Sequence, residues 1–274
     1  MLKFLTKAII FLGVIVGAVT FVYLYDLYQE IKDDIDSVVN YNPKQSTQFF
    51  DKNGKLLANT FKDENREYVN YDDIPARVIE GLVAIEDTQF FEHFGVNPDA
   101  ISRAVIKNIQ SGGYSEGAST LTQQLIKVLL LSREKKIIRK VKEALLAIRL
   151  ETILTKEEIL ERYLNHVYFG HGYYGVKTAA KGYFKKNLYE LTLKEIAILV
   201  GLPRAPSFYD PTKNLQVSLA RANQVITIMH TLGWINNEQF EESINETPTI
   251  YNQTLTQNIA PYAIDYAVSE LVND

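Results

Sequence analysis

Cysteine is missing from all 274 residues, so disulfide bridges and thiolate-held metal centres are excluded, although that absence alone selects no compartment. Histidine is scarce as well. The four copies, at 93, 166, 171 and 230, fall in neither a His-x-x-x-His nor a His-Glu-x-x-His spacing, which argues against a zinc enzyme. Net charge is small: the formal balance is −4, so the chain as a whole is not a nucleic-acid binder by charge. No internal repeat is evident. What remains is globular, since 46% hydrophobic and 23% charged residues can supply a core, and the length suits one large domain or two small ones.

The N-terminus carries the clearest address. Ala8 to Tyr25 is an 18-residue run without a charge, long enough to span a membrane. Lys3 and Lys7 precede it; Asp26, Glu30, Asp33 and Asp34 follow. Positive residues stay cytoplasmic, so the rest of the chain is expected outside the cytoplasm. A cleaved signal peptide is the competing reading, but the run is long for one and no Ala-x-Ala site ends it. Residues 1–25 thus read as a cytoplasmic tip and a single uncleaved anchor in the inner (cytoplasmic) membrane, and 26–44 as a polar, partly helical stalk ending near Pro43. Thr47–Phe50 and Lys55–Ala58, joined at Asp51-Lys52-Asn53-Gly54, predict a β hairpin. From Asp73 onward the pattern is helical. Pro75 suits a first turn, Asn97-Pro98 a cap and first turn, and Thr155–Glu158 and Thr192–Glu195 fit capping boxes. Loops are expected at Ser111–Gly117, Gly170–Gly175 and Pro203–Pro211. The fold class is mainly α. Residues 245–274, polar and then briefly apolar, read as a linker toward something further.

Three features carry chemistry. On a helical wheel Glu86 falls between Leu82 and Ile79, on the apolar side of a helix containing Val78 and Ile85, while Asp87 turns away. Burial there would disfavour the charged carboxylate and raise its pKa toward values useful for proton transfer; a helix-end glutamate that snorkels to water fits the wheel equally. Gly117-Ala118-Ser119-Thr120-Leu121-Thr122-Gln123-Gln124 sets hydroxyls and amides at a helix start, where anions are favoured, although an ordinary cap has the same appearance. Between Lys127 and Arg149 stand eight basic residues against two acids. Ile137, Val141, Ala144, Leu145 and Ile148 form the expected buried stripe, with Lys135, Arg139, Lys142 and Glu143 sharing an arc opposite it. A solvated basic face is the bland reading. A carboxylate inside a cationic stripe also suits an anionic ligand, a pyrophosphate more than a lipid headgroup.

Glu86-Asp87-x-x-Phe90-x-x-His93-x-Gly95 resembles the first signature of the family 51 peptidoglycan glycosyltransferases, the polymerase module of class A penicillin-binding proteins. Four more motifs follow in order. Gly117-x-Ser119-Thr120-x-Thr122-Gln123-Gln124 and Arg139-Lys140-x-Lys142-Glu143 resemble the second and third. Ile159-Leu160-Glu161-x-Tyr163-Leu164-Asn165-x-Val167-Tyr168-x-Gly170 resembles the fourth, and Gly201-Leu202-Pro203-x-Ala205-Pro206-Ser207-x-Tyr209-x-Pro211 the fifth. Ala118 and Arg204 depart from the pattern, as glycine and glutamine are common there. The resemblance implies a lysozyme-like helical domain over residues 45–244, with a membrane-proximal jaw near 106–131 whose Leu125–Leu131 run could touch lipid. It implies Glu86 as general base and Glu143 as a second catalytic carboxylate near a leaving pyrophosphate. Lys127, Arg139, Lys142 and Lys135 would neutralise that diphosphate. Ser119, Gln123, Gln124 and Arg103 would hold sugar or phosphate, with Asp87, His93 and Asn165 as scaffolding. The implied partners are lipid II, the lipid-linked nascent glycan, the membrane and other cell-wall synthesis proteins, with no nucleic acid. A divalent cation, Mg or Mn, is a candidate at Glu143 through the pyrophosphate; no preformed metal site and no organic cofactor are expected. A lytic enzyme on the same fold is the alternative. Ser132-Arg133-Glu134-Lys135 meets a transpeptidase pattern by letter only, as its partner motifs are absent. Ala260-Pro261-Tyr262 resembles the lead-in to a transpeptidase domain, so a truncated bifunctional enzyme is expected.

Overall fold

The computed structural model describes residues 2–32, 34–40, 47–54, 56–60, 65–113, 117–130, 136–252, 264, 266 and 269. Helices α1 (Leu2–Ile31) and α2 (Asp34–Val39) precede strands β1 (Thr47–Phe50), β2 (Leu56–Thr60) and β3 (Asn65–Arg66). Then come α3 (Ala76–Glu86), α4 (Pro98–Ser111), α5 (Leu121–Leu129), α6 (Lys136–Leu150) and α7 (Lys156–His166). The chain closes with β4 (Tyr173–Tyr174), α8 (Val176–Phe184), α9 (Leu193–Gly201), α10 (Leu215–Thr231) and α11 (Asn237–Asn245). The fold is mainly helical, as the sequence predicts. Two compact units arise: Met1–Tyr41 with His93–Thr155, and Asn42–Glu92 with Lys156–Asp274.

In the first unit, Ile9–Ile31 of α1 is long and apolar enough to cross a membrane. The helix does not give way to a solvated stalk at residue 26. It runs on to Ile31, and Leu27 and Ile31, with Ile35 and Val38 of α2, are buried. Their spacing of four, four and three residues makes an apolar ridge that average polarity conceals, and both helices pack on α6. Pro43, the expected end of the stalk, lies outside the described residues. Helix α4 starts as predicted: the Asn97 side chain accepts the Ala100 N–H at 2.9 Å, with Pro98 in the first turn. It ends at Gly112, which takes the left-handed conformation (φ 66°) that stops a helix cheaply only as glycine. Residues 106–131 fall inside this unit. The Leu125–Leu131 run, expected to be able to touch lipid, divides: Leu125 and Ile126 are core and Val128 is exposed, while Leu131 lies outside the described residues. Ile101, Val105, Ile106 and Ile109 of α4 are exposed as well.

The second unit begins with the predicted hairpin. β1 and β2 pair antiparallel, Thr47 opposite Thr60, with a bulge at Phe49/Phe50 and Gly54 at φ 80° in the turn. Its core is a three-helix packing of α3 against α9 and α10, lined by Val78, Leu82, Ile196, Val200, Val225 and Met229. Asn165 on α7 clamps the Val69 peptide from both sides, accepting its N–H at 2.9 Å and donating to its carbonyl at 2.8 Å. Glu161 adds the Tyr71 N–H at 2.6 Å and the Tyr68 hydroxyl. The fourth motif thus fastens the segment leading to α3. After α11 the chain is not yet loose. Glu246 accepts from the Thr192 hydroxyl at 2.7 Å, the Tyr251 N–H reaches the Tyr183 carbonyl at 2.9 Å, and Lys185 lies 4.1 Å over the Tyr251 ring. The expected linker from 245 is therefore fastened through 251; Ala260-Pro261-Tyr262 lies outside the described residues.

His166 closes α7, buried, with its Nδ1 2.7 Å from the Arg162 carbonyl. Burial pushes the imidazole down to about 4 from 6.5, the Arg162 carbonyl pulls the other way, and the Arg66 and Arg162 charges add to the fall. The folded state therefore binds fewer protons than the unfolded one between those values. This part of the stability is complete above pH 6.5 and is lost as pH drops toward 4, by up to roughly 1.4 kcal/mol per pH unit. Denaturant titrations of wild type and His166→Gln across that window should differ in slope, the variant being flatter; parallel curves would contradict a neutral buried His166.

Candidate active site

Gly95 explains how the first motif meets the third. It sits at φ 78°, and a Cβ there would fall 2.6 Å from the Ala147 carbonyl and the Ile148 nitrogen, so the loop lies directly on the α6 backbone. The Thr120 hydroxyl donates to the Gly95 carbonyl at 2.6 Å and caps α5 by accepting the Gln123 N–H at 3.2 Å. Gln123 returns the cap through its Oε1, 3.0 Å from the Thr120 N–H. Thr122 donates to Glu151 at 2.5 Å. Much of the second motif is thus occupied in building the start of α5, Gln123 included. Ser119 is different. Its Oγ accepts from Lys140 Nζ at 2.8 Å.

The expected orientation of α6 is overturned. Its covered face is Lys142, Glu143, Leu146, Ala147 and Leu150, whereas Ile138 and Ile148 are exposed and Val141, Ala144 and Leu145 only half-buried. Two apolar sets compete on this wheel, and packing by α1, α2 and α5 selects the second. Glu143 is accordingly fully buried, not on a solvated arc. Lys140 makes a close ion pair and hydrogen bond with its Oε2. Arg139 Nε lies 3.3 Å from Oε1, near enough for ion pairing, though not aligned as a hydrogen bond. Lys142 turns toward α1 and pairs with Glu30 at 3.1 Å. The structure therefore joins Ser119, Arg139, Lys140 and Glu143 in one cluster with one surplus positive charge. Lys127 and Gln124 stand on α5, Arg103 is exposed on α4, and Lys135 lies outside the described residues. A divalent cation does not fit at Glu143 as it stands, because both carboxylate oxygens already face cations.

Glu86 is the last residue of α3, in the second unit, with its side chain 9% exposed. It does not snorkel. Arg221 of α10, itself 6% exposed, places Nη2 3.4 Å from Glu86 Oε1. Desolvation disfavours a buried carboxylate's charge, and an adjacent guanidinium opposes that effect. The Tyr163 phenol, also buried, is pushed well up by its burial and by the Glu86 charge. Asp87 corrects the wheel: it is buried, because the helix has ended and Asp87 leaves with φ −163°. Sequence reasoning missed Lys140 as a site residue, although it stands three positions before Glu143 on the same helix face. It also missed Arg221, whose signal is a charge on an otherwise small and apolar face with Ser218, Ala222 and Val225.

Each unit thus holds a carboxylate sequestered from water beside positive charge, Glu143 with Arg139 and Lys140 in the first and Glu86 with Arg221 in the second. Comparison identifies the family. The transglycosylase family matches residues 53–230. Penicillin-binding protein 1A of Aquifex aeolicus is 40% identical over 92% of this chain and 34% of its own length. That of Escherichia coli is 38% identical over 91% and 30%. Penicillin-binding protein 1F of Bacillus subtilis is 40% identical over 71% and 27%. A crystal structure of penicillin-binding protein 1A from Haemophilus influenzae aligns with TM-score 0.47 at 26% identity, over 85% of this chain and 25% of that one. The chain belongs to the transglycosylase family and is a peptidoglycan glycosyltransferase domain; it spans about a third of the length of the curated relatives it matches.

Removing the Lys140 charge leaves buried Glu143 with less compensation. Lys140→Met should cost about 1–3 kcal/mol in chemical denaturation, below the value for fully buried pairs because Lys140 is half-exposed. Adding Glu143→Gln should recover part of that loss, and a strictly additive double variant would show the pair to be uncoupled.

Proposed function

We propose that this domain polymerises lipid II by inverting glycosyl transfer at the outer face of the cytoplasmic membrane. The acceptor sugar's 4-hydroxyl attacks the anomeric carbon of the lipid-linked donor; the new β-1,4 bond forms as the bond to undecaprenyl pyrophosphate breaks. Inversion calls for a base on the acceptor side and charge stabilisation on the leaving side. Glu86 takes the hydroxyl proton, a role worth ~10²–10⁴-fold. Arg139 and Lys140 meet the pyrophosphate, with Lys127 and Lys135 as further cations, and Glu143 orders the first two, whereas Lys142, turned toward Glu30 of α1, steadies α6. Ser119, Gln124 and Arg103 contribute polar contacts to sugar or phosphate. A metal would enter only as a counterion of the diphosphate, and no step passes through it. The α1 anchor, with Lys3 and Lys7 cytoplasmic, sets the domain where lipid-linked substrates and its cell-wall synthesis partners reside.

The observation that carries this reading is the buried Glu143 ion-paired to Arg139 and Lys140. Glycan cleavage has no pyrophosphate to bind and no use for that cluster. Purified protein given labelled lipid II in detergent should yield long polymer. Glu86→Gln should reduce the rate by at least about 10²-fold with its fold retained, and Glu143→Gln should also impair it. Shortening of added glycan strands without polymer would establish the lytic alternative, and full activity in Glu86→Gln would remove it from the base role.

A further inference from the structure

Phe208 leaves 61% of its surface in water, on the loop between α9 and α10 in the second unit. We propose that Phe208 binds substrate: its ring is the platform on which a sugar of the acceptor glycan stacks while Glu86 takes the proton from that glycan's 4-hydroxyl. The proposal rests on the glycosyltransferase reading above and adds to it a contact for the acceptor.

A short series of contacts joins this ring to Glu86. Phe208 packs edge-on against Tyr209, with centroids 5.1 Å apart and planes at 79°. The Tyr209 ring in turn lies 5.5 Å from Arg221 Cζ, and Arg221 Nη2 is 3.4 Å from Glu86 Oε1. Arg204, exposed on the same loop, also acts on Arg221 through its charge. Other exposed rings of this unit are placed differently. Phe50 stands on the β1–β2 hairpin, Phe91 packs edge-on against buried Phe90, and the Tyr189 hydroxyl reaches the Asp72 carbonyl at 3.4 Å.

The loop that carries Phe208 is held from both ends. The Phe208 and Tyr209 N–H groups both donate to the Ala205 carbonyl at 3.0 Å. Asp210, 1% exposed, accepts from the Thr212 N–H at 2.9 Å and from the Thr212 hydroxyl at 2.7 Å. Gly170 of the fourth motif lets the loop come close, since a Cβ there would fall 3.4 Å from the Pro206 carbonyl and 2.9 Å from the Tyr183 hydroxyl. A side chain on so fixed a backbone has little freedom left to lose when a ligand arrives. One exposed aromatic is ordinary on a protein surface; one presented on a fixed loop beside the cation of the base is a candidate contact. The chemistry of the acceptor fits it. A β-linked pyranose with equatorial substituents turns C–H bonds to its faces and hydroxyls to its rim. The negative face of an aromatic ring attracts such C–H bonds. Stacking on Phe208 therefore holds a sugar without engaging its hydroxyls, and leaves the 4-hydroxyl to Glu86.

The full chain in detergent, anchor included, tests this with lipid II. Phe208→Ala should raise KM about 2- to 10-fold with kcat near wild type, the pattern of lost ground-state binding. Phe208→Trp should keep KM near wild type. Phe208→Leu, apolar but without a ring face, should behave as Phe208→Ala does. An unmoved KM in Phe208→Ala would overturn the proposal, as would a leucine variant equal to the tryptophan one. A fall in kcat alone would overturn it too, because the ring would then act through Tyr209 and not on substrate. Tyr189→Ala serves as the control for loss of any exposed ring, and an equal rise in KM there would count against Phe208. A soluble β-1,4-linked N-acetylglucosamine oligomer gives a readout without catalysis. Saturation transfer from protein aromatic protons to the sugar C–H protons should weaken in Phe208→Ala and persist in Phe208→Trp; identical signals in wild type and Phe208→Ala would overturn the assignment. An inactive wild type or an active Glu86→Gln would count against the glycosyltransferase reading, and the oligomer signals would still decide whether Phe208 binds glycan.

Discussion

A carboxylate with the exposure of Glu143, which is none, cannot remain charged on its own. The effective penalty for taking one ion out of water is several kcal/mol even after relaxation. Arg139 and Lys140 offset it from the same helix, and Lys140 extends the arrangement to Ser119 at the start of α5. Glu143 lies inside because α1, α2 and α5 cover the face that also carries Leu146, Ala147 and Leu150, one and two turns on. The backbone at 147–148 then lies where only a glycine can approach it, and Gly95 does so. Three motifs far apart in sequence thereby meet in one unit, through Gly95 against α6, Thr120 to the Gly95 carbonyl and Lys140 to Ser119.

The second unit solves the same problem differently. Glu86 and Arg221 meet across two helices, with Arg221 Nη2 3.4 Å from Glu86 Oε1. A carboxylate held by several short charged hydrogen bonds is a poor base, and Glu143 is bracketed by two cations of its own helix. The two carboxylates share burial and differ in the cations that compensate it.

How far the sequence could be read depended on whether local periodicity was the deciding influence. The hairpin at Asn53-Gly54, the Asn97-Pro98 cap, the Thr192 capping box and the placement of Glu86 beside Leu82 all follow from neighbours within a few residues, and the structure has each of them. Asp87 was misread because a wheel assumes the helix continues, and α3 ends one residue earlier. On α6 the wheel offered two apolar stripes, and the choice between them lies in helices α1, α2 and α5, which no window on α6 contains. The stalk failed for a related reason: Leu27, Ile31, Ile35 and Val38 are sparse in a polar stretch and become a ridge only once there is a helix to receive them. Arg221 was out of reach because its partner is on another helix, more than a hundred residues away.

The anchor is therefore more than a tether. Its last turns are buried against the helix that carries Glu143, and Glu30 engages Lys142 on that same helix. In the same unit, α4 leaves Ile101, Val105, Ile106 and Ile109 exposed at helical spacing. A helix long and apolar enough to cross a membrane, an amphipathic helix with exposed apolar residues and a cationic cluster thus share one compact unit, so the same part of the chain offers apolar and positively charged surface together. The other unit sets Glu86 at the end of α3, in a core that α3 builds with α9 and α10.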